Sequence, residues 1–113
     1  LFLVYVIYAV ALFRFPFDTY PDEVAGVVGR HGLRAIQGDI VTGDADPHLS
    51  TRDIVQAVTT QAQNGSIVIM HVNGRGWHTA EALPVVIRQL HKAGYTFVTV
   101  SQLLGLTPLP ISD

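Results

Sequence analysis

Apolar and polar positions along the chain alternate between a strand-like pattern and a helix-like pattern. Uninterrupted apolar runs predict strands, and apolar residues that recur every three or four positions predict helices. The predicted strands cover residues 12–17, 33–41, 66–72 and 95–100, and the predicted helices begin near residues 18, 50 and 79, with one more helical turn at 101–104. Each unit takes roughly 30 residues, as strand–helix–strand crossovers do. This order predicts a parallel α/β sheet, either open or part of a barrel.

Short polar segments predict where the helices begin and end. Asp18 or Thr19 can cap the first helix, and Ser50 with Asp53 forms a capping-box pattern at the start of the second. An Asn-Gly pair at 64–65 predicts the end of that second helix. The buried stripe predicted for the third helix consists of Leu83, Val86, Ile87 and Leu90, with Pro84 in its first turn or at a kink.

The first residues form an uncharged apolar run, LFLVYVIYAVALF, that ends at residue 13. This run is shorter than the roughly 20 apolar residues of a membrane-spanning helix, and it lacks the basic start of a signal peptide. Its β-branched and aromatic residues favour a buried strand, and the end of a longer membrane segment is the alternative. We therefore predict an apolar leader at 1–11, an α/β domain portion at 12–104 and a loose tail at 105–113.

The composition limits the classes of function. With 113 residues, of which 49% are hydrophobic and 14% charged, the chain suits one modest domain with a buried core. A net charge of −2 without a basic stripe excludes nucleic acid as the default partner. The chain has no cysteine, so disulfides and thiolate metal sites are impossible.

Functional residues of parallel sheets gather at the carboxyl ends of the strands. His71 ends one predicted strand, and an acidic loop at 39–46 ends another. A carboxylate of Asp44 or Asp46 could set the tautomer of His71 and make it a general acid, and a core histidine bonded to a loop carbonyl is an equal alternative. No two of the five histidines lie four residues apart, which excludes a zinc-binding pair on one helix.

Three segments resemble a known family. Residues 65–104, GSIVIMHVNGRGWHTAEALPVVIRQLHKAGYTFVTVSQLL, resemble the C-terminal block of polysaccharide deacetylases, the NodB-homology domain of carbohydrate esterase family four. FRFPF at 13–17 resembles the family's Phe-Arg-x-Pro-Tyr-Gly motif, and GDIVTGDA at 38–45 resembles its Trp-x-x-Asp-x-x-Asp-Trp motif. The resemblance implies a distorted (β/α) barrel of seven or eight strands, about half of it present here. It also implies metal-dependent removal of acetyl groups from N-acetylated or O-acetylated polysaccharides such as peptidoglycan or chitin-like glycans.

The matched motifs imply roles for individual residues on the acid side of a deacetylase site. By resemblance these residues are His71 as the catalytic acid, Asp44 that orients it, Arg14 that holds the catalytic aspartate, and Ile69 and Met70 as the wall of the acetyl pocket. Gly38 and Ala45 stand where tryptophans are common in the family. The aromatic ring of Trp77 could replace them by stacking on a sugar.

The resemblance also implies what this chain lacks. Neither the family's Thr-Phe-Asp-Asp strand, with the catalytic base and one metal ligand, nor its His-x-x-x-His helix, with two more ligands, matches any segment. We therefore expect the divalent metal of the family, often zinc, not to bind to this chain alone, and the chain alone to be inactive. The alternative is a non-catalytic glycan-binding or structural α/β module derived from the deacetylase, with Trp77 as its glycan contact.

Partners and location follow from the same reasoning. The expected partner is an acetylated polysaccharide. Half of a barrel has open sheet edges, which predicts self-association, and the apolar leader could contact a membrane. The cell-envelope substrates of the family imply an exported, periplasmic or membrane-anchored protein.

Overall fold

The computed structural model describes residues 12–106, which divide into two units after residue 37. The elements of the first unit are β1 (Leu12–Phe13), a 3-10 turn (Pro16–Asp18), α1 (Asp22–Arg30) and β2 (Arg34–Ala35). The elements of the second unit are β3 (Ile40–Val41), α2 (Thr51–Gln61), β4 (Val68–Ile69), α3 (Thr79–Lys92) and α4 (Val100–Leu103). The predicted apolar leader and residues 107–113 lie outside the described residues, so both alternatives for the leader stay predictions.

The first unit, residues 12–37, is a strand–helix–strand unit. β1 and β2 pair in parallel, and α1 makes the crossover that parallel strands require. α1 begins at Asp22 after Pro21, whose fixed φ suits the residue before a helix. No side chain caps this helix, so the predicted caps at Asp18 and Thr19 are wrong.

The first predicted strand is longer than the strand that forms. β1 ends at Phe13, and the following residues enter a turn in which Phe17 and Asp18 both have a φ of 58°. Phe15 is buried beside this turn and stacks on Tyr20 with ring centroids 4.1 Å apart. Phe15 is therefore buried by aromatic packing and not by pairing in a sheet, whereas Phe17 is 86% exposed.

The second unit, residues 38–106, has the same alternating order. β3 and β4 pair in parallel through the α2 crossover, with Ile40 opposite Val68. α3 follows β4 along the chain and packs against α2. Parallel strands that alternate with helices confirm the predicted α/β class.

The remaining three predicted strands are wrong in extent. The run 33–41 is divided into β2 and β3, which belong to different sheets. The run 66–72 contains only Val68–Ile69 as strand, and the run 95–100 contains none. A strand exists only where a neighbouring strand satisfies its backbone groups, and residues 95–99 have no pairing strand within the described chain.

The two long helices of the second unit begin where the sequence predicts. Ser50 Oγ accepts the Asp53 N–H at 3.2 Å, and Asp53 Oδ2 accepts the Ser50 N–H at 2.8 Å, which confirms the capping box of α2. α2 ends at Gln61, before the predicted Asn-Gly end. α3 begins at Thr79 and continues through Pro84.

The core of the second unit lies between α2, α3 and β3. Its buried residues are Ile40, Ile54, Val55, Val58, Ala82, Val86 and Leu90. The predicted stripe of α3 is right for Val86 and Leu90 and wrong for Leu83 and Ile87, which are 41% and 42% exposed. The face of α3 directed at α2 carries Ala82 and Val86. Leu83 and Ile87 each follow one of these residues and so point about 100° away from that face, because successive residues of a helix are rotated by this angle.

None of the helices within residues 12–106 combines the length and the apolar character that crossing a membrane requires. Where the chain is described, β4 pairs with β3 alone. Self-association through sheet edges and membrane contact of the leader stay predictions.

The α2–α3 core gives a prediction for stability. Ile54 on α2 is fully buried, so Ile54→Ala leaves a cavity and is expected to lower the free energy of unfolding by about 2–5 kcal/mol. Ile87→Ala on the exposed face of α3 is the matched control, with an expected loss of about 1 kcal/mol. Urea denaturation followed by circular dichroism measures both, and equal losses would contradict the assigned helix faces.

Candidate functional site

The centre of the candidate site is the buried carboxylate of Asp44, which is 2% exposed. Its Oδ1 lies 2.8 Å from Nδ1 of His71. Its Oδ2 accepts the backbone N–H of His71 at 2.7 Å and the hydroxyl of Thr79 at 2.6 Å. The Asp44 side chain, in the loop after β3, therefore contacts both His71, which follows β4, and Thr79, the first residue of α3.

Thr42 and Gly43 bring Asp44 to this position. The buried Thr42 hydroxyl donates to the Ile69 carbonyl at 3.1 Å and accepts the Asp44 N–H at 3.3 Å, which joins the ends of β3 and β4 beyond their short pairing. Gly43 has a φ of 77°, a conformation that glycine adopts without strain. The chain consequently turns at Gly43, and the Asp44 side chain reaches His71.

The loop between β4 and α3 closes back onto the same aspartate. The Trp77 N–H donates to the Asp44 carbonyl at 3.1 Å. Gly76 lies so close to the His71 carbonyl and the Thr79 hydroxyl that a Cβ at this position would collide with both. Glycine is therefore required at 76 for the loop to pack against His71 at its start and Thr79 at its end. The side chain of the next residue, Trp77, is 58% exposed.

The hydrogen bonds determine the charge of Asp44. Burial raises the pKa of this carboxyl, but the hydrogen bonds from the Thr79 hydroxyl and from the backbone and ring of His71 together outweigh burial, so the pKa lies below its ordinary value. An ionised carboxylate only accepts hydrogen bonds, so Nδ1 of His71 carries the proton that points at Asp44. The other ring nitrogen, Nε2, remains available for chemistry, and the ring is partly exposed.

Asp44 is the loop carboxylate that contacts His71. Asp39 instead accepts the Ile67 N–H, and this backbone hydrogen bond is the main reason that the pKa of Asp39 is lowered. Asp46 accepts the His48 N–H at 2.9 Å. The residue pattern left Asp44 and Asp46 as alternatives, and the one in contact with His71 is Asp44, the residue that the family resemblance implies.

The predicted acetyl-pocket residues lie in different surroundings. Ile69 is buried, and its side chain lies against Gly38, where any Cβ would collide with it. Gly38 stands at a position where tryptophan is common in the family. A large side chain there would displace Ile69, so glycine is the residue that this packing allows. Met70 is half-buried and packs against the α2–α3 core. The roles of Ile69 and Met70 in a pocket stay predictions.

Arg14 belongs to the first unit, where its Nε lies 3.7 Å from Asp18. The predicted contact of Arg14 with a catalytic aspartate stays a prediction. Among the other histidines, Nδ1 of His78 lies 3.4 Å from Glu81 at the start of α3.

The described residues do not fit a divalent metal. Within residues 12–106, no group of three His, Cys, Asp or Glu side chains is close enough to hold a metal ion. Both oxygens of Asp44 are already engaged by hydrogen bonds from His71 and Thr79. Asp44 is buried and each of its oxygens accepts a hydrogen bond, so the Asp44 site is a hydrogen-bonding site.

Sequence reasoning did not select Thr79 and Thr42 as site residues. Both are buried, at 6% and 2% exposed, and both use their hydroxyls inside the site. Thr79 was assigned only as the start of α3, although its hydroxyl is not used as a helix cap. The signal for Thr79 is its place as the first residue of the Thr-x-x-Ala-Leu-Pro pattern in the matched family block, which marks a helix start and assigns its hydroxyl no role.

The comparisons with known proteins support the same family. No protein-family model matches the chain. The chain is 38% identical over 74 residues to a bifunctional xylanase/deacetylase from Pseudobutyrivibrio xylanivorans, which covers 66% of this chain and 12% of the relative. It is 44% identical over 52 residues to a peptidoglycan-N-acetylglucosamine deacetylase from Bacillus cereus, which covers 45% of this chain and 24% of the relative.

Two solved structures match the fold. A peptidoglycan N-acetylglucosamine deacetylase superposes with a TM-score of 0.82 at 21% identity, over 89% of this chain and 48% of that chain. A family 4 acetyl xylan esterase from Clostridium thermocellum, solved with a cobalt ion, superposes with a TM-score of 0.75 at 28% identity, also over 89% and 48%. The chain thus spans about half of each solved relative, and the predicted partial (β/α) barrel is confirmed.

The electrostatics of Asp44 give a prediction with a defined pH dependence. Asp44→Asn replaces an acceptor with an amide that cannot satisfy all three donors, so we expect a loss of about 1–3 kcal/mol in the free energy of unfolding at pH 7. Because the folded pKa of Asp44 is depressed, its contribution is complete above the unfolded pKa of about 4 and disappears as the pH falls through the folded value.

Urea denaturation of both proteins between pH 7 and pH 3 tests this dependence. The difference between wild type and Asp44→Asn should shrink on acidification, and a difference that grew would contradict the assignment. Asp46→Asn, an exposed change in the same loop, is the control and should stay close to wild type at pH 7.

Proposed function

We propose that this chain is part of a polysaccharide deacetylase of carbohydrate esterase family four, and that it supplies the acid side of a site that removes acetyl groups from N-acetylated or O-acetylated polysaccharides. The observation that carries the proposal is the contact between Nδ1 of His71 and the buried Asp44. The name of the Bacillus cereus relative, a peptidoglycan-N-acetylglucosamine deacetylase, supports glycans of the peptidoglycan or chitin type as substrates.

The His71–Asp44 pair suits proton donation to a leaving group. When the tetrahedral intermediate of deacetylation collapses, the departing amine or alcohol must receive a proton. With Nδ1 of His71 committed to Asp44, Nε2 is the nitrogen that would take up a proton from water and then donate it to the departing amine or alcohol. Asp44 keeps the ring in this tautomer and stabilises the imidazolium that forms before the transfer, as the carboxylate of a catalytic triad does.

The metal is the other part of the proposal. A divalent ion, zinc in many family members, would polarise the acetyl carbonyl and activate water. The residues described here do not fit such an ion, so no step on this chain is assigned to it. We propose that this chain by itself is inactive. The unmatched Thr-Phe-Asp-Asp and His-x-x-x-His motifs support this part of the proposal.

The remaining residues are proposed to hold the substrate. Ile69 and Met70 would form the apolar wall for the acetyl methyl group, and Arg14 would hold the catalytic aspartate. Trp77, exposed on the loop that closes onto Asp44, would stack on a sugar ring. An exported or cell-envelope location is proposed with this function, because its substrates lie there.

The exposed ring of Trp77 also favours a second candidate, a non-catalytic glycan-binding module. A large aromatic side chain that is 58% exposed, on a loop whose backbone is hydrogen-bonded to a buried residue, is a suitable platform for a sugar. This candidate requires neither a metal nor proton transfer by His71.

The deacetylase proposal predicts a large effect at His71. We expect the protein as its gene encodes it to release acetate from acetylated chito-oligosaccharides or peptidoglycan, and His71→Ala to lower kcat by about 10²–10⁴. His78→Ala, a nearby histidine paired with Glu81, is the control and should retain activity.

The 113-residue chain assayed alone with zinc or cobalt should show no turnover. Metal-stimulated turnover that His71→Ala abolishes would refute its inactivity.

The glycan-binding candidate predicts an effect at Trp77 without metal. In the presence of a chelator, we expect Trp77→Ala to weaken the binding of chito-oligosaccharides to this chain by about fivefold, since a stacked aromatic pair is worth about 1 kcal/mol. Phe97→Ala is the control, because Phe97 is similarly exposed elsewhere in the second unit. Calorimetric titration that detects no glycan binding to the wild-type chain would reject this candidate.

A further inference from the structure

We propose that Thr79 is a positioning residue of this site, whose hydroxyl fixes the rotation of the Asp44 carboxylate and thereby the tautomer of His71. The proposal deepens the proposed deacetylase function, because it names a residue that controls the proton donor. None of the motifs matched in the sequence assigns Thr79 a role, and its place at the start of α3 accounts only for its backbone.

The hydroxyl of Thr79 is committed to the carboxylate. It is 6% exposed and lies 2.6 Å from Asp44 Oδ2, within the range of strong hydrogen bonds to charged groups. A threonine at a helix start commonly caps a backbone N–H, but here the residue in the N-cap position is His78 and no side chain caps α3. The hydroxyl therefore serves Asp44 and not the helix.

A carboxylate needs such a donor because its terminal torsion is soft. Rotation about the last bond of Asp is broad and nearly two-fold, so one hydrogen bond does not fix it. In this site Oδ2 accepts two donors, the His71 N–H and the Thr79 O–H, from different directions. These two contacts hold Oδ2 in place, which leaves Oδ1 directed at Nδ1 of His71.

Gly76 and the backbone of α3 fix the hydroxyl in turn. A Cβ at Gly76 would collide with the Thr79 hydroxyl and the His71 carbonyl, so the loop packs directly against the donor. Thr79 is also the first residue of α3, a helix held by the α2–α3 core. The position of the hydroxyl is therefore set by packed backbone on both sides.

Without the hydroxyl, the selection of the tautomer should weaken. In Thr79→Val the shape is kept and the donor is lost, so Asp44 can rotate and Nδ1 of His71 loses its fixed acceptor. The ring should then populate both neutral tautomers. Thr79→Ser restores a hydroxyl at the same position and should restore the single tautomer.

The ¹⁵N chemical shifts of the His71 ring, measured on this chain at a pH where the ring is neutral, test the proposal. We expect wild type and Thr79→Ser to show a protonated Nδ1 and an unprotonated Nε2, and Thr79→Val to show averaged shifts. A folded Thr79→Val with wild-type shifts would overturn the proposal, as would a Thr79→Ser that behaves like Thr79→Val. If Thr79→Val does not fold, the wild-type spectrum decides. A slowly exchanging Thr79 hydroxyl proton supports the hydrogen bond, and a rapidly exchanging one overturns it.

Activity gives an independent reading. In the protein as its gene encodes it, Thr79→Val should lower kcat on the order of tenfold with KM unchanged, the scale of losses when an orienting partner is removed, and Thr79→Ser should recover most of it. An unchanged kcat in Thr79→Val would overturn the proposal. If wild type proves inactive on every acetylated glycan, the proposed function fails, while the ring shifts still decide the role of Thr79.

Discussion

The buried carboxylate of Asp44 holds together the parts of the chain that form the candidate site. It accepts hydrogen bonds from the ring and the backbone N–H of His71 and from the hydroxyl of Thr79, so the loop after β3 is joined to the chain after β4 and to the start of α3. An ionised carboxylate in a buried position is stable only with such donors, because each unsatisfied oxygen would carry the cost of lost hydration. The hydrogen bonds of Asp44 therefore form only when His71 and Thr79 are both held beside it.

The packing of α2 against α3 makes this arrangement possible. The core between the two helices places the first turn of α3 beside the ends of β3 and β4. Thr42 joins those strand ends by accepting the Asp44 N–H and donating to the Ile69 carbonyl. Because both strands are only two residues long, side-chain hydrogen bonds supplement the few that the β3–β4 ladder provides. The hydrogen bonds of the candidate site therefore also stabilise the pairing of β3 with β4.

The starts of α2 and α3 were predictable from neighbouring residues along the chain, whereas the caps predicted for α1 were wrong. The Ser50–Asp53 capping box and the start of α3 at Thr79 formed as expected, because caps and helix starts are local. The strands were poorly predicted: 95–100 has the composition of a strand and no partner to pair with. The buried face of α3 was predicted only in part. Leu83 and Ile87 are apolar and suit burial, but the face of the helix that is buried depends on how α3 packs against α2.

For the site, the sequence by itself determined which chemistry was present: a histidine after an apolar run, an acidic loop and motifs that resemble a polysaccharide deacetylase. It also placed His71 near the carboxyl end of a strand, where the functional residues of parallel sheets gather. The residue pattern left Asp44 and Asp46 open, and the family resemblance implied Asp44. Only the tertiary structure showed the contact of Asp44 with His71 and added Thr79, 35 residues away from Asp44 along the chain. The physical reason is that a buried carboxylate is satisfied by whichever donors the fold brings within hydrogen-bond distance, and no local pattern encodes that distance.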